Sequence, residues 1–108
     1  MLGAMMGSPN LQKVGLNLAF LFIRVELRGT PSRQDYDNLH AYMEKNNWFR
    51  KIEGTAGEST LPHAMYHGNS ENNVSAIASS LRKGIQANVW TQAVVLIISA
   101  QTWSLDPA

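Results

Sequence analysis

Apolar and polar residues alternate with a period of two over residues 18–27, where Leu21, Ile23, Val25 and Leu27 fall on one face and Phe20, Phe22, Arg24 and Glu26 on the other. The pattern predicts a strand with one face in a core. The period then lengthens: Tyr36, Leu39, His40 and Met43 recur at helical spacing behind Thr30-Pro31. That pair suits a helix start, because a threonine hydroxyl caps free amides and proline at the first helical position loses no hydrogen bond. The helix is expected to end near Asn46-Asn47, with WFRKIE at 48–53 forming a short second strand. GTAGEST at 54–60 reads as a hairpin-type connection with a mobile tip. LPHAMYH at 61–67 reads as the third strand, with Pro62, which cannot donate a ladder bond, at its start or beside a bulge. Asn69-Ser70-Glu71 is placed to cap a second helix whose apolar stripe is Val74, Ile77, Ala78, Leu81 and Ile85. Arg82 and Lys83 would fall in its last turn and Gly84 would stop it. The last strand lies within 90–105, where Val94, Val95, Leu96, Ile97 and Ile98 are apolar in succession and so predict cover on both faces.

The order strand, helix, strand, strand, helix, strand predicts an α+β protein with a ferredoxin-like βαββαβ sandwich. Its four-stranded antiparallel sheet would run four-one-three-two, with two helices on one face. Ser99-Ala100-Gln101 reads as a bend, which leaves 102–105 for a fifth, C-terminal strand that would cross to a partner subunit. The chain of 108 residues suits one domain over 13–108, preceded by a flexible arm at 1–12 that carries Gly3, Gly7, Ser8 and Pro9. Strands one and three become central neighbours, so their face away from the helices would present Phe20, Phe22, Arg24 and Glu26 beside His63, Met65 and His67.

Composition alters this picture mainly at the C-terminal end. Nine Lys and Arg against eight Asp and Glu give a formal charge of +1, which points to no polyanionic partner by itself. Yet residues 84–105 hold no charged side chain. An uncovered apolar edge strand invites association, so a homodimer is expected, with Trp90, Val94, Leu96, Ile98 and Trp103 as interface residues. The absence of cysteine excludes disulfides and thiolate metal sites and is compatible with a reducing cytoplasm. The apolar run at 14–23 lacks a small-residue cleavage site, and no run approaches the roughly 20 residues of a membrane-spanning helix, so no membrane role is expected.

The candidate chemistry lies on the open sheet face. His63 and His67 are four apart, which in a strand separates them by about 13 Å and argues against a shared metal ion. His40 reads as a hydrogen-bonded packing residue, and Asp35 and Asp37 as part of a solvated helix face. Phe20 and Phe22 with Arg24 resemble an RNA-stacking platform, although the basic-glycine-aromatic pattern of RNA-recognition motifs is missing from strand three. Packing of the two phenylalanines against another subunit or a tail is the simpler expectation. Glu26 is the carboxylate of the central strand. It would be catalytic if two subunits each supplied one carboxylate to a divalent ion that activates water, and otherwise it pairs with Arg24 or Arg28. No resident metal or cofactor is expected outside that nuclease reading. A further reading is a small-molecule sensor with a pocket at the dimer interface, lined by Phe20, Phe22, Trp90 and Trp103.

The element order, the acidic position on strand one, the glycine-containing loop before Leu61-Pro62-His63-Ala64-Met65-Tyr66 and the apolar last strand carry a likeness over 18–105. In these features the chain resembles the small ferredoxin-like proteins around the GhoS-type antitoxin endoribonuclease and the CRISPR-associated spacer-acquisition nucleases. The resemblance is one of architecture. It implies a homodimer formed through the sheet or the last strand, and in some members metal-dependent cleavage of RNA or DNA with a strand-one aspartate. This chain has Glu26 in that neighbourhood, so the dimer carries over more directly than the nuclease. The function expected is thus an accessory or antitoxin-like module that binds RNA or a protein partner through its open sheet face.

Overall fold

The computed structural model describes residues 18–54, 57–70 and 73–105. The elements run β1 (Ala19–Leu27), α1 (Arg33–Lys45), β2 (Lys51–Gly54), β3 (Gly57–Thr60), β4 (Met65–Ser70), α2 (Val74–Asn88) and β5 (Ala93–Ala100). β1 is the central strand, antiparallel to β4 on one side and to β5 on the other. β2 and β3 form a separate two-stranded ribbon, joined to β4 by the Phe49–His67 bridge. This is an α+β sandwich of ferredoxin-like architecture.

The alternation in β1 decides which side carries the core. Leu21, Ile23, Val25 and Leu27 are buried, and they pack with Leu39 and Met43 of α1, Tyr66 of β4 and Ile77, Leu81 and Ile85 of α2. Trp48 closes one end over Gly68, where any Cβ would collide with the indole ring. Among the described residues no helix is long and apolar enough to cross a membrane.

Both helices differ from expectation at their ends. α1 starts at Arg33 behind Ser32 rather than behind Thr30-Pro31, because Ser32 and Asp35 form a reciprocal capping box. Asp35 is therefore a capping residue and not merely part of a solvated face. α2 is capped by Asn73, whose side chain accepts from the Ala76 amide. The helix also continues a full turn past Gly84. At that position α2 crosses Tyr42 of α1 so closely that a Cβ would overlap the phenol oxygen. The glycine serves helix approach, not helix termination.

The hairpin region differs too. Residues 57–60, expected within a loop, form β3 in register with β2, from Lys51↔Thr60 to Gly54↔Gly57. A turn then occupies 61–64, with Ala64 at φ 57° and the Met65 amide bonded to the Pro62 carbonyl at 3.1 Å. The third long strand of the sequence reading consequently begins at Met65. The tail at 102–105 forms no strand and folds back onto its own sheet, where Trp103 meets Phe20 and Phe22. The expected arm at 1–12, the cap at Glu71 and the hairpin tip at 55–56 lie outside the described residues.

Candidate functional site

Two groups of side chains stand out, one on each side of the sheet. The first is the open face. The strand registers place Phe22 between His67 and Ile98, and Arg24 between Met65 and Leu96, with Glu26 opposite Val94. Phe20 lies near-parallel to His67 at 5.7 Å and to Trp103 at 6.1 Å, and edge-on to Phe22 at 5.2 Å. His67 also meets Phe49, and its Nε2 donates to the Lys51 carbonyl, which holds the ring on the ribbon side. The expected residues Phe20, Phe22, Arg24, Met65 and His67 are thus brought together on one surface.

On β5 the alternate residues Val94, Leu96 and Ile98 are 38, 56 and 48 % exposed on this same face. The cover expected on both faces of β5 is absent here among the described residues. Trp103 shields the two phenylalanines only, and a cleft lined by Phe22, Pro62, Met65 and Leu105 runs beneath the tail. Gly54 of the ribbon borders the same indole, since a Cβ there would stand 3.5 Å from it.

Three expected site residues are placed elsewhere or serve differently. The positive φ at Ala64 turns His63 out of the strand, away from Met65 and His67, yet His63 still lines a cleft with Arg24, Glu26, Val94 and Leu96 at the other end of the face. Its ring sits 4.5 Å from Tyr36 and 5.9 Å from His40. Trp90 packs against the molecule's own core, and its indole N–H donates to the Arg28 carbonyl at 2.6 Å. It therefore does not join Phe20, Phe22 and Trp103 around one pocket. Glu26 is exposed and ion-paired with Arg28 at 3.3 Å. Among the described residues no three His, Asp or Glu side chains gather as metal ligands.

The second group was not legible as a cluster in the sequence. Tyr66 is fully buried, and its hydroxyl lies 2.7 Å from His40 Nδ1. Burial raises the Tyr66 pKa, so the hydroxyl keeps its proton. A buried hydroxyl must donate, and Nδ1 is the acceptor in reach, so His40 carries its own proton on Nε2. Partial burial, followed by the charges of Arg50 and His63, holds the His40 pKa below its ordinary value, against a smaller opposing effect of Asp37. His40 is therefore neutral at pH 7. Arg50 is fixed by its backbone, since its carbonyl accepts the Leu61 amide at 2.7 Å, and its side-chain Nε is buried with no hydrogen-bond partner among the described residues. The only sequence signals for this cluster were His40 on the inner side of α1 and Arg50 at the start of the ribbon. Neither signalled the other, because Tyr66 and the 61–64 turn bring them together.

No protein-family model, curated protein or solved structure matches the chain.

Proposed function

We propose that the chain is a homodimeric accessory module of the antitoxin-like kind, which works by binding a protein partner through its open sheet face. The observation that carries this reading is the exposed row Val94, Leu96 and Ile98, continuous with Phe22, Met65 and Arg24 of the neighbouring strands. Aromatic, methionine and arginine side chains with few other charges make up the typical core of a protein interface. The outer edge of β5 adds a row of backbone groups that a second copy can pair with. The resemblance to the antitoxin-type ferredoxin-like proteins supports the dimer and supplies the accessory role. A reducing cytoplasm suits a chain without cysteine.

RNA is a second reading, favoured by one observation: the near-parallel rings of His67, Phe20 and Trp103, onto which a base could stack. The face offers Arg24 as its cation, which is few for holding a polyanion, and so the protein partner ranks first.

Light scattering coupled to size exclusion at micromolar concentration tests the dimer. The wild type is expected to run as a dimer and Leu96→Glu as a folded monomer, because Leu96 is too exposed for its loss to disturb the core. A strictly monomeric wild type would sink the reading. Undetectable binding of single-stranded RNA at low salt would remove the second reading alone.

A further inference from the structure

We infer that His40, Arg50, Lys51 and Thr60 form a binding site for a phosphate group, at the ribbon edge of the sheet and away from the exposed row of β5. A cleft of about 360 Å³ at the junction of α1 and the ribbon is lined by these four residues, together with Phe49, Trp48 and Glu44. The registers bring its parts together: Lys51 pairs with Thr60 across the ribbon, and the Arg50 carbonyl holds the next amide, that of Leu61. The cleft therefore rests on backbone hydrogen bonds and not on long side chains alone.

Three observations point to an anion. First, among the described residues the buried Nε donor of the Arg50 guanidinium has no acceptor, and no carboxylate lies within 4.0 Å of the group as an ion-pair partner. A buried charged donor is costly to leave unpaired, and a planar guanidinium matches phosphate oxygens with two parallel bonds. Second, with Nδ1 taken up as the acceptor for the Tyr66 hydroxyl, the neutral His40 ring carries its own N–H at Nε2 and offers it as a donor. Third, two fixed cations, Arg50 and Lys51, line the cleft beside the N–H of the neutral His40 ring, with Glu44 also in its wall and Asp37 near His40. Phosphate answers all three, by supplying acceptors to Arg50 and His40 and a negative charge beside Arg50 and Lys51. Thr60 adds a hydroxyl donor, and the exposed ring of Phe49 offers a surface on which a base attached to the phosphate can stack.

The phosphate could belong to a small molecule or to a polynucleotide, and the chemistry of the site is the same for both. The test is proton NMR of the full chain in a phosphate-free buffer, following the ring signals of His40 and His63. Inorganic phosphate, a nucleoside 5′-monophosphate and a short oligouridylate are added in turn at constant ionic strength. Saturable shifts are expected, with the His40 titration midpoint moved upward by the bound anion, since binding and protonation are linked and reciprocal. Replacing Arg50 by methionine keeps the aliphatic stem and is expected to weaken binding roughly 10- to 100-fold, the loss of a hydrogen bond to a charged group. Lys51→Gln, at an exposed position, should weaken it with the melting temperature unchanged, and so separates binding from folding if the Arg50 variant unfolds. Tighter binding of the monophosphate than of phosphate identifies a nucleotide site, and tighter binding of the oligomer identifies a polynucleotide site. Shifts no larger than those given by sodium chloride, or shifts that survive both substitutions, overturn the inference.

Discussion

Adding one methyl group at Gly84 tests the packing that sets the two helices against each other. In an isolated helix the change to alanine would stabilise by about 1 kcal/mol, because glycine loses more backbone freedom on folding. Here the new Cβ falls on the Tyr42 hydroxyl oxygen, with the ring carbon behind it at 3.2 Å. Tyr42 is half-buried against the core and must tilt outward. Lifting roughly 60 Å² of its ring into water costs about 1.5 kcal/mol at ~25 cal/mol per Å². The two effects nearly cancel, so Gly84→Ala alone should change stability little, on the order of 0.5 kcal/mol downward. With Tyr42→Ala already in place the steric cost vanishes, and the same glycine substitution should stabilise by about 1 kcal/mol. Urea unfolding of the four proteins gives the coupling directly, expected near 1.5 kcal/mol and readable as a shift of several degrees in melting temperature, at about 4–8 °C per kcal/mol. Additive effects within about 0.5 kcal/mol would mean that the two helices do not meet at this point, and the account of α2 running through Gly84 would fail.

Other substitutions probe separate links. Ser32→Ala removes one half of the capping box and should cost about 1 kcal/mol in chemical denaturation, whereas Thr30→Ala should cost nearly nothing. Because the folded state lowers the His40 pKa, the unfolded chain takes up a proton there first as pH falls. The stability linked to His40 is therefore complete above the unfolded pKa of 6.5 and is lost as pH drops towards the lower folded value; His40→Asn should flatten that decline in unfolding curves measured from about pH 7.5 to pH 5. Glu26→Gln breaks an exposed ion pair and should alter stability by less than about 1 kcal/mol. If manganese- or magnesium-dependent RNA cleavage were found in the wild type and abolished in this variant, Glu26 would act in chemistry; equal cleavage by both would remove it from any mechanism.

The open face was largely legible in the sequence, because β1 declares its two sides by simple alternation. Once Leu21, Ile23 and Val25 point inward, Phe20, Phe22 and Arg24 have nowhere else to go. His63 failed the same logic. Its alternation with Met65 and His67 holds only if the strand is unbroken, and the positive φ at Ala64 breaks it. Nothing in the residue type announces that conformation, since alanine rarely adopts it and Pro62 marks only the neighbourhood. Gly84 misled for a related reason: beside Arg82 and Lys83 it looks like a helix stop, while its use is contact with Tyr42, 42 residues earlier.

By itself the sequence determined both helices, the inward face of β1, the stripe of α2 and the uncharged C-terminal strand, since these depend on periodicity within a few neighbouring residues, while β3 escaped it. Only the tertiary structure decided that Trp103 lies over the two phenylalanines, that Trp90 faces the core, and that Arg50 and His40 share one cleft. Each of these follows from a turn or a register between distant segments. Local patterning says which side of an element is apolar, but where two polar side chains converge depends on backbone geometry summed over the chain between them.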